Sequence, residues 1–451
     1  MKQPNVVFVF SDQQRWDTCG INGNPEGLTP NFDSLAKTGT NFPKCFTPQP
    51  VCGPSRACLQ TGMYATANGT WRNGIPLNKS VPSLASCFKE AGYRTGYIGK
   101  WHLGKTGENA VKEPDRGGYQ DWLAADILEA CSDAYDCVVY NENCNEVKLP
   151  GYRVDALTDA AIRYIDEHQE NPFFLFLSFL EPHHQNHVDA YPAPRGYEEL
   201  YNSPWMPADL KTLGGTAHRH IPGYYGMIKR LDESLGRITD AIHSLGLNED
   251  TIVIYTSDHG CHFKTRNQEY KRTCHDASTR VPCAINGPGF ESGGERQELF
   301  SLLDLPPTLL EAAGIPIPDH MQGKSFVERL QKRDSKWAES IFVQTSEHEL
   351  GRSIRTQRWK FGVLAPDLDG GKVPSAKTYT ESFLYDLKHD PYELDNLISC
   401  PAHRPVADYL ASRLKEKINE VEGENPTISK APALDEIRWY QRKVYECEIY
   451  E

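Results

Sequence analysis

Side chains that can bind metal ions and transfer protons follow three strongly apolar segments of this chain. They are Asp12 and Gln13 after VVFVFS, His183 and His184 after FFLFLSFLEP, and Asp258 and His259 after TIVIYTS. In an open parallel sheet, ligands bind beyond the carboxyl ends of the strands. Any one of these residues is explained as well by a structural role, for example Asp12 as a helix cap. Their recurrence after three separate apolar runs indicates a functional site at one edge of a sheet.

A further candidate, Cys52, begins the segment CGPSR. Gly53 and Pro54 predict a turn that leads into a helix, with proline in the first helical turn. Cys52 would then lie at a helix N-terminus, where free N–H groups and the helix dipole favour an anion. A lone cysteine is more often a small buried apolar residue, and the position of Cys52 alone favours that alternative.

Strands and helices alternate along most of the chain. Continuous apolar runs predict strands that are buried on both faces, and apolar residues spaced by three and four predict amphipathic helices. The predicted strands are 6–10, 94–98, 173–180 and 251–257, and the predicted helices are 31–38, 83–91, one around 157–165, and 231–245. This alternation indicates an α/β fold with a mostly parallel central sheet flanked by helices.

The pattern changes after about residue 335. Short strand candidates at 340–344, 359–363 and 383–385 are separated by polar turns, and 402–420 has a helical pattern. Short strands with intervening turn residues are typical of antiparallel sheets. We therefore expect two domains, a larger α/β domain over 1–335 and a smaller antiparallel α+β subdomain over 336–451.

Composition excludes several classes of protein. The net charge of the 451 residues is −13, so the chain lacks the basic character that nucleic-acid binding requires. No run of 18 apolar residues occurs, and no membrane span is expected. The 13 cysteines include no CxxC pair, which argues against a zinc ribbon or a redox dithiol. We expect a cytoplasmic location, or a periplasmic or secreted one if an export signal has been removed.

Four segments resemble the type I, formylglycine-dependent sulfatases of the alkaline-phosphatase-like superfamily. They are CGPSRACLQTG from Cys52, which matches C-x-P-S-R and L-x-T-G; GYRTGYIGKWH over 92–102; Asp258-His259-Gly260 with Lys271 and 280–282; and LYDL over 384–387 with 390–391 and 396–397. The resemblance covers essentially the whole chain and is closest in style to bacterial carbohydrate sulfatases. It implies an alkaline-phosphatase-like fold and the hydrolysis of a sulfate ester. The domain over 1–335 would then be the catalytic domain, and the subdomain over 336–451 would complete the substrate cleft.

The resemblance also implies two cofactors. Cys52 would be converted to formylglycine by a formylglycine-generating or anaerobic maturase, and the hydrate of this aldehyde would be the nucleophile. A divalent cation, Ca²⁺ rather than Mg²⁺, would be bound by Asp12, Gln13, Cys52 as formylglycine, Asp258 and His259. Gln13 and His259 replace the Asp and Asn of the commonest pattern. The Gln13 amide keeps an oxygen donor, whereas an imidazole nitrogen suits calcium less well.

The remaining catalytic roles follow from the same resemblance. Arg56 would hold the formylglycine and the metal-binding carboxylates, while Lys100 and Lys271 would bind the sulfate oxygens. His102 would take the proton that triggers sulfate release. His183 would protonate the leaving alcohol, with His184 as the alternative.

The resemblance implies a sulfated carbohydrate as the substrate, from glycosaminoglycan, mucin or algal polysaccharide. Four side chains are candidate sugar contacts, with packing or solvation as the alternative role: His184, Arg72, His348 and Arg352. Two other functions remain open. One is a phosphodiesterase or phosphonate monoester hydrolase of the same superfamily, and the other is a non-catalytic protein that binds sulfated glycans.

Overall fold

The computed structural model describes residues 3–105, 107–291, 293–331 and 337–432. The strands are β1 Asn5–Ser11, β2 Thr40–Asn41, β3 Cys45–Phe46, β4 Arg94–Lys100, β5 Asp121–Ala125, β6 Cys137–Asn141, β7 Glu146–Leu149, β8 Phe173–Ser178, β9 Thr251–Ser257, β10 Arg280–Val281, β11 Cys283–Asn286, β12 Gly294–Glu295, β13 Phe300–Ser301, β14 Ser340–Thr345, β15 Gly351–Thr356, β16 Trp359–Leu364, β17 Thr378–Asp386 and β18 Thr427–Ser429. The helices are α1 Pro30–Thr38, α2 Cys52–Thr61, α3 Ala65–Asn68, α4 Leu84–Glu90, α5 Leu128–Cys131, α6 Arg153–His168, α7 Ala208–Thr212, α8 Ala217–Ser244, α9 Asp276–Thr279, α10 Leu305–Ala312, α11 Val327–Gln331 and α12 Arg404–Glu422.

The predicted central sheet is confirmed. It has ten strands in the order β12-β2-β11-β9-β1-β8-β4-β5-β6-β7. Its centre is parallel, because β1 pairs with both β8 and β9, and β4 pairs with both β8 and β5, in the same direction. The predicted apolar runs form the three innermost of these strands, which are buried along their whole length. Strands covered on both faces read as continuous hydrophobic runs rather than as alternating ones.

Helices cover both faces of this sheet. Alternate residues of β1 point to opposite sides, so that Phe8 belongs to one hydrophobic cluster and Val7 to the other. The Phe8 side includes residues of α2, α4 and α10, whereas the Val7 side includes residues of α1, α6 and α8. Within the described ranges, no helix combines the length and the apolar character needed to cross a membrane.

The core of the sheet yields a stability prediction. Phe176 is buried, and its ring stacks on Phe8 and Tyr97 with centroids 4.6 and 5.2 Å apart. These three are cross-strand neighbours in register. We expect Phe176→Ala to lower the free energy of unfolding by about 3–5 kcal/mol, because it removes buried apolar area and leaves a cavity.

Denaturant-induced unfolding measures this change. Tyr409→Ala is the control, since Tyr409 is 63% exposed on α12, and a surface substitution of this kind is expected to stay within about 0.5 kcal/mol. A loss below about 1 kcal/mol for Phe176→Ala would contradict the packing described.

The smaller C-terminal sheet is also confirmed. It has the order β14-β15-β16-β17-β18 and is antiparallel apart from the β17–β18 pair. Helix α12 packs on it through Leu410 and Leu414, in one hydrophobic cluster with Phe361. The predicted domain boundary between residues 335 and 336 lies outside the described residues.

Helix α8 and strand β15 illustrate why some elements were predicted only in part or not at all. The predicted helix 231–245 is the second half of α8, which begins at Ala217 and contains Pro222. Proline usually lies outside a helix interior, and for that reason the first half of α8 was not predicted. Strand β15 was not predicted either. Its segment GRSIRT contains two arginines, yet β15 is buried over Gly351–Arg355 between β14 and β16.

Candidate active site

Strand register brings the two acidic candidates together. β1 and β9 are parallel neighbours, with Ser11 opposite Ser257 at their carboxyl ends. Asp12 directly follows Ser11, and Asp258 directly follows Ser257. Both aspartate side chains are completely buried. Their closeness is a direct consequence of two parallel strands that end at the same level of the sheet.

Cys52 lies between these carboxylates and a group of cations. It is the first residue of α2 and is 1% exposed. Its Sγ is 2.8 Å from Lys271 Nζ, 3.3 Å from His259 Nε2, 3.6 Å from Asp12 Oδ1 and 3.9 Å from Lys100 Nζ. Burial alone would raise the pKa of the Cys52 thiol, but Lys100, Lys271 and His259 outweigh burial and hold the pKa well below its usual value. The cluster thus favours an anionic group at position 52.

Arg56 joins the two carboxylates from inside helix α2. Its Nη2 donates to Asp12 Oδ2 at 3.0 Å and to Asp258 Oδ2 at 3.1 Å. Its Nη1 donates to the Lys100 carbonyl and to Ser178 Oγ, which ties α2 to the ends of β4 and β8. A planar guanidinium with several fixed donors is suited to hold such a set of acceptors rigidly.

Lys100 adds a second cation to the same carboxylate. Its Nζ is 2.8 Å from Asp12 Oδ2 and 2.9 Å from Glu129 Oε1. Burial and the Cys52 charge would raise the pKa of Asp12, but Lys100, His183 and Lys271 lower it well below its usual range. Burial, and then the neighbouring Asp12 charge, raise the pKa of Asp258 to about 6.

Four side chains of the cluster are arranged as metal ligands. One ligand atom each of Asp12, Cys52, Asp258 and His259 lies within 4.8 Å of the other three. His259 Nδ1 is 2.9 Å from the Gly260 carbonyl, so Nδ1 carries the proton. The lone pair of Nε2 therefore faces Asp12 Oδ1 at 3.6 Å and Asp258 Oδ1 at 3.5 Å. A backbone carbonyl on the second ring nitrogen is the usual support for a metal-binding histidine.

Gln13 is held beside this cluster in a left-handed backbone conformation, with φ 70°. Its backbone N–H donates to Asp258 Oδ1 at 3.0 Å. Its side-chain Nε2 donates to the Tyr191 hydroxyl at 3.0 Å and to Cys261 Sγ at 3.3 Å. With the amide nitrogen anchored in this way, the amide oxygen is the atom of this side chain that could coordinate a cation.

Lys271 connects the cluster to His183. Its Nζ is 3.0 Å from His259 Nε2 and 3.3 Å from His183 Nε2. Burial, and then Lys271, lower the pKa of His183. His102, which has φ 59°, has a buried Nδ1 without a hydrogen-bond partner in the described structure, and the same holds for Nδ1 of His183. These imidazole nitrogens are available to a bound molecule.

The structure does not bring all the predicted sugar contacts to this cluster. Arg352 is buried in the C-terminal sheet, where its guanidinium bonds to Glu422 and to the carbonyls of Gly351 and Pro374. All three of its nitrogens are used there, so Arg352 stabilises the second sheet in the described structure, and its contact with a substrate stays a prediction. The positive charge of Arg352 suggested that it binds the substrate, but the sequence could not reveal that its partner is Glu422, 70 residues later.

The other three predicted contacts have different surroundings. Arg72 donates to the carbonyl of Asn73, whose side chain in turn accepts from the Gly53 N–H beside Cys52. His348 is exposed. His184 points away from the cluster, with hydrogen bonds to the loop that follows it rather than to Cys52 or Lys271. Only Arg72 is connected to the segment that carries Cys52.

Glu129 is a member of the cluster that the sequence analysis missed. It lies on the short helix α5, and its Oε1 bonds to Lys100 while its Oε2 has no partner in the described residues. Burial would raise its pKa, but Lys100, His102 and His183 lower it to about 2. No strand end or motif marks this position, so nothing in the sequence distinguished it from a surface glutamate.

Comparison with known proteins identifies the family to which this site corresponds. The family model described as Sulfatase matches residues 4–315. A second model, described as N-sulphoglucosamine sulphohydrolase, C-terminal, matches residues 268–420. The first match contains every residue of the cluster, and the second covers strands β14 to β17 of the C-terminal sheet.

Individual relatives agree with this match. The ulvan-active sulfatase of Formosa agariphila is 30% identical, over 93% of this chain and 82% of the relative. The N-acetylglucosamine-6-O-sulfatase of Bacteroides thetaiotaomicron is 24% identical, over 94% of this chain and 88% of the relative.

Solved structures agree as well. The sulfatase yidJ from Bacteroides fragilis superimposes with a TM-score of 0.81, at 25% identity over 93% of this chain and 96% of that one. A structure in complex with its substrate D-glucosamine-2-N,6-O-disulfate superimposes with a TM-score of 0.77, at 23% identity over 94% of this chain and 99% of that one. The fold is therefore shared along nearly the whole length of these proteins.

Proposed function

Because the chain belongs to the sulfatase family and is a hydrolase of sulfate esters, we propose that its substrate is a carbohydrate O-sulfate and that its nucleophile derives from Cys52. Relatives named for ulvan and for N-acetylglucosamine-6-O-sulfate support a carbohydrate substrate. The observation that carries the assignment of the nucleophile is the position of Cys52 Sγ. It lies 2.8 Å from one lysine and within reach of a second lysine, a histidine and a carboxylate.

We propose that a maturase oxidises Cys52 to formylglycine. The hydrate of this aldehyde supplies two hydroxyls, one that can bond to sulfur and one whose deprotonation returns the aldehyde and releases sulfate. A thiol at the same place has no such route for release. The surrounding cations, which stabilise an anion at position 52, would equally favour a deprotonated hydroxyl there.

The basic residues around position 52 would bind the sulfate and hold the carboxylates. Lys100 and Lys271 would bind sulfate oxygens, because both ammonium groups are fixed in a water-poor site where charge stabilisation is strong. Arg56 would keep Asp12 and Asp258 in place through its hydrogen bonds.

Proton transfer would be carried by the two histidines. His102, with a free buried Nδ1, would accept the proton whose removal releases sulfate. His183 would protonate the leaving sugar oxygen, with the Lys271 ammonium 3.3 Å from its Nε2. An alkoxide of a sugar leaves poorly without such a proton.

A divalent cation fits the same cluster. It would be held by Asp12, Gln13, Asp258, His259 and an oxygen of modified Cys52, which together offer mostly oxygen donors. This donor set supports Ca²⁺ over Mg²⁺, because calcium accepts irregular sets of protein ligands. When bound, the ion would supply positive charge against the sulfate and favour the deprotonated hydroxyl.

Removal of the cation is expected to reduce turnover by at least about 10²-fold, since the charge it contributes is lost in the transition state. The measurement is turnover of a sulfated monosaccharide after chelation, with metal content verified by elemental analysis. We expect added Ca²⁺ to restore the rate more fully than added Mg²⁺. Unchanged turnover in verified metal-free protein would contradict this role.

The proposed function is tested by comparing substrates on one matured preparation. We expect release of sulfate from a sulfated hexosamine or uronic acid to exceed, by a wide margin, hydrolysis of a matched phosphate mono- or diester. A preference for the phosphodiester or a phosphonate monoester would instead favour the rival activity of the superfamily. Tight binding of sulfated sugar without release of sulfate would favour a glycan-binding role.

A further inference from the structure

A second cluster of potential ligands lies next to the active site and is not used by the proposed function. His184 follows β8, Asp189 lies in the loop after it, and His220 lies near the start of α8. One ligand atom of each lies within 4.8 Å of the other two. Both histidines are 4% exposed.

His184 directs a ring nitrogen at Asp189. Its Nδ1 is 2.9 Å from Asn186 Oδ1, and its Nε2 is 3.1 Å from Asp189 Oδ1. The Tyr270 hydroxyl is 3.1 Å from the same Nε2. With the proton on Nδ1, the lone pair of Nε2 and the carboxylate oxygen face each other, and a cation between them would bind both.

His220 contributes a second unused nitrogen. Its Nε2 is buried and has no hydrogen-bond partner in the described residues. A buried polar atom without a partner costs free energy, typically about 1–3 kcal/mol, so it calls for a ligand.

The three side chains are held in place by their neighbours. The His184 ring stacks on Tyr270 with centroids 4.3 Å apart, and it meets the His220 ring edge-on at 5.5 Å. Asp189 Oδ2 is engaged by Arg219 at 2.8 Å, while Oδ1 is directed at His184 Nε2 at 3.1 Å. Rings fixed by packing and a carboxylate fixed by a salt bridge form a prearranged set of ligands.

We propose that His184, Asp189 and His220 bind a transition-metal ion of the zinc class, separate from the cation beside Cys52. Two nitrogens and one carboxylate oxygen match the ligands of three-residue zinc sites, in which a water takes the fourth position. Ligands about 2.0–2.2 Å from a tetrahedral ion lie ~3.3 Å from one another, close to the 3.1 Å between His184 Nε2 and Asp189 Oδ1. Two imidazoles suit zinc rather than calcium.

This site would fasten the loop after β8 to helix α8. His184 is adjacent to His183 in the chain, and Tyr270, which stacks on His184, is adjacent to Lys271. The bound ion would therefore support the backbone that carries two groups of the active site, without taking part in the reaction.

The test is Zn²⁺ binding to Ca²⁺-loaded protein, measured by calorimetric titration and by metal analysis after gel filtration. The variants are His220→Gln and, as a matched control on the same helix, His218→Gln, whose residue is exposed. We expect the wild-type protein and the His218→Gln variant each to bind one more Zn²⁺ ion per molecule than the His220→Gln variant. Asn186→Ala, which removes the partner of His184 Nδ1, should weaken Zn²⁺ binding by about 10–100-fold.

Co²⁺ substitution distinguishes this site from the Cys52 cluster. Ligation by nitrogen and oxygen gives visible d–d bands without a thiolate charge-transfer band, and these bands should disappear in His220→Gln. Equal Zn²⁺ binding by wild type and His220→Gln, or a Co²⁺ spectrum dominated by thiolate charge transfer, would overturn the proposal. If His220→Gln does not fold, Asp189→Asn in the exposed loop supplies the same comparison.

Discussion

Replacing Cys52 by alanine is expected to lower the turnover of a sulfated sugar by at least about 10⁴-fold, with no loss of folded structure. The residue would supply the nucleophile, and the surrounding residues cannot replace it, because the groups nearest to its Sγ are two lysines, the His259 imidazole and the Asp12 carboxylate. Turnover is measured on matured protein, and circular dichroism checks the fold. Mass spectrometry of the wild-type peptide should record the mass change from CH₂SH to CHO.

Cys58→Ala is the matched control, because Cys58 is also buried in helix α2, but its Sγ accepts from Asn68 outside the cluster, and it packs with residues of the C-terminal sheet. Burial raises the pKa of its thiol, in contrast to the lowered pKa of Cys52. We expect Cys58→Ala to retain most of the turnover. Active wild-type enzyme that carries only an unmodified thiol at position 52 would refute the proposed nucleophile.

Replacing Lys271 by alanine is expected to lower kcat by about 10²–10³-fold, the usual effect of removing one preorganised group that stabilises transition-state charge. The expectation rests on the position of Lys271 Nζ, which lies within 3.3 Å of Cys52 Sγ, His183 Nε2 and His259 Nε2. The effect should be largest for an unactivated sugar sulfate and smaller for an aryl sulfate, whose leaving group needs less help from His183.

Lys264→Ala is the comparison for this lysine, since Lys264 lies in the same loop and its Nζ is over the Tyr270 ring rather than in the cluster. A change in kcat of less than about tenfold is expected there. Near-normal turnover in Lys271→Ala, with the fold retained, would remove Lys271 from the reaction.

Much of the fold could be predicted from the sequence. The innermost strands β1, β8 and β9 are fully buried, and this makes them continuous apolar runs that are visible without a structure. Helix α8 was found only in part, because Pro222 conceals its first half. Strand β15 was missed because its two buried arginines resemble surface residues until the fold supplies their partners, Glu422 for Arg352 and Asp276 for Arg355.

The chemical types in the active site could also be read from the sequence, because polar residues that directly follow buried parallel strands share one sheet edge. Asp12 and Asp258 are the clearest case, since the register of β1 and β9 leaves them no other arrangement. Only the tertiary structure decided which side chains beyond these strand ends join them. Glu129 belongs to the cluster because it pairs with Lys100. His183 contacts Lys271 of the cluster, whereas the neighbouring His184 points towards Asp189. The reason is physical. The apolar pattern of a buried strand determines which residue follows its carboxyl end, whereas the partners of a side chain depend on distant segments that folding brings into contact.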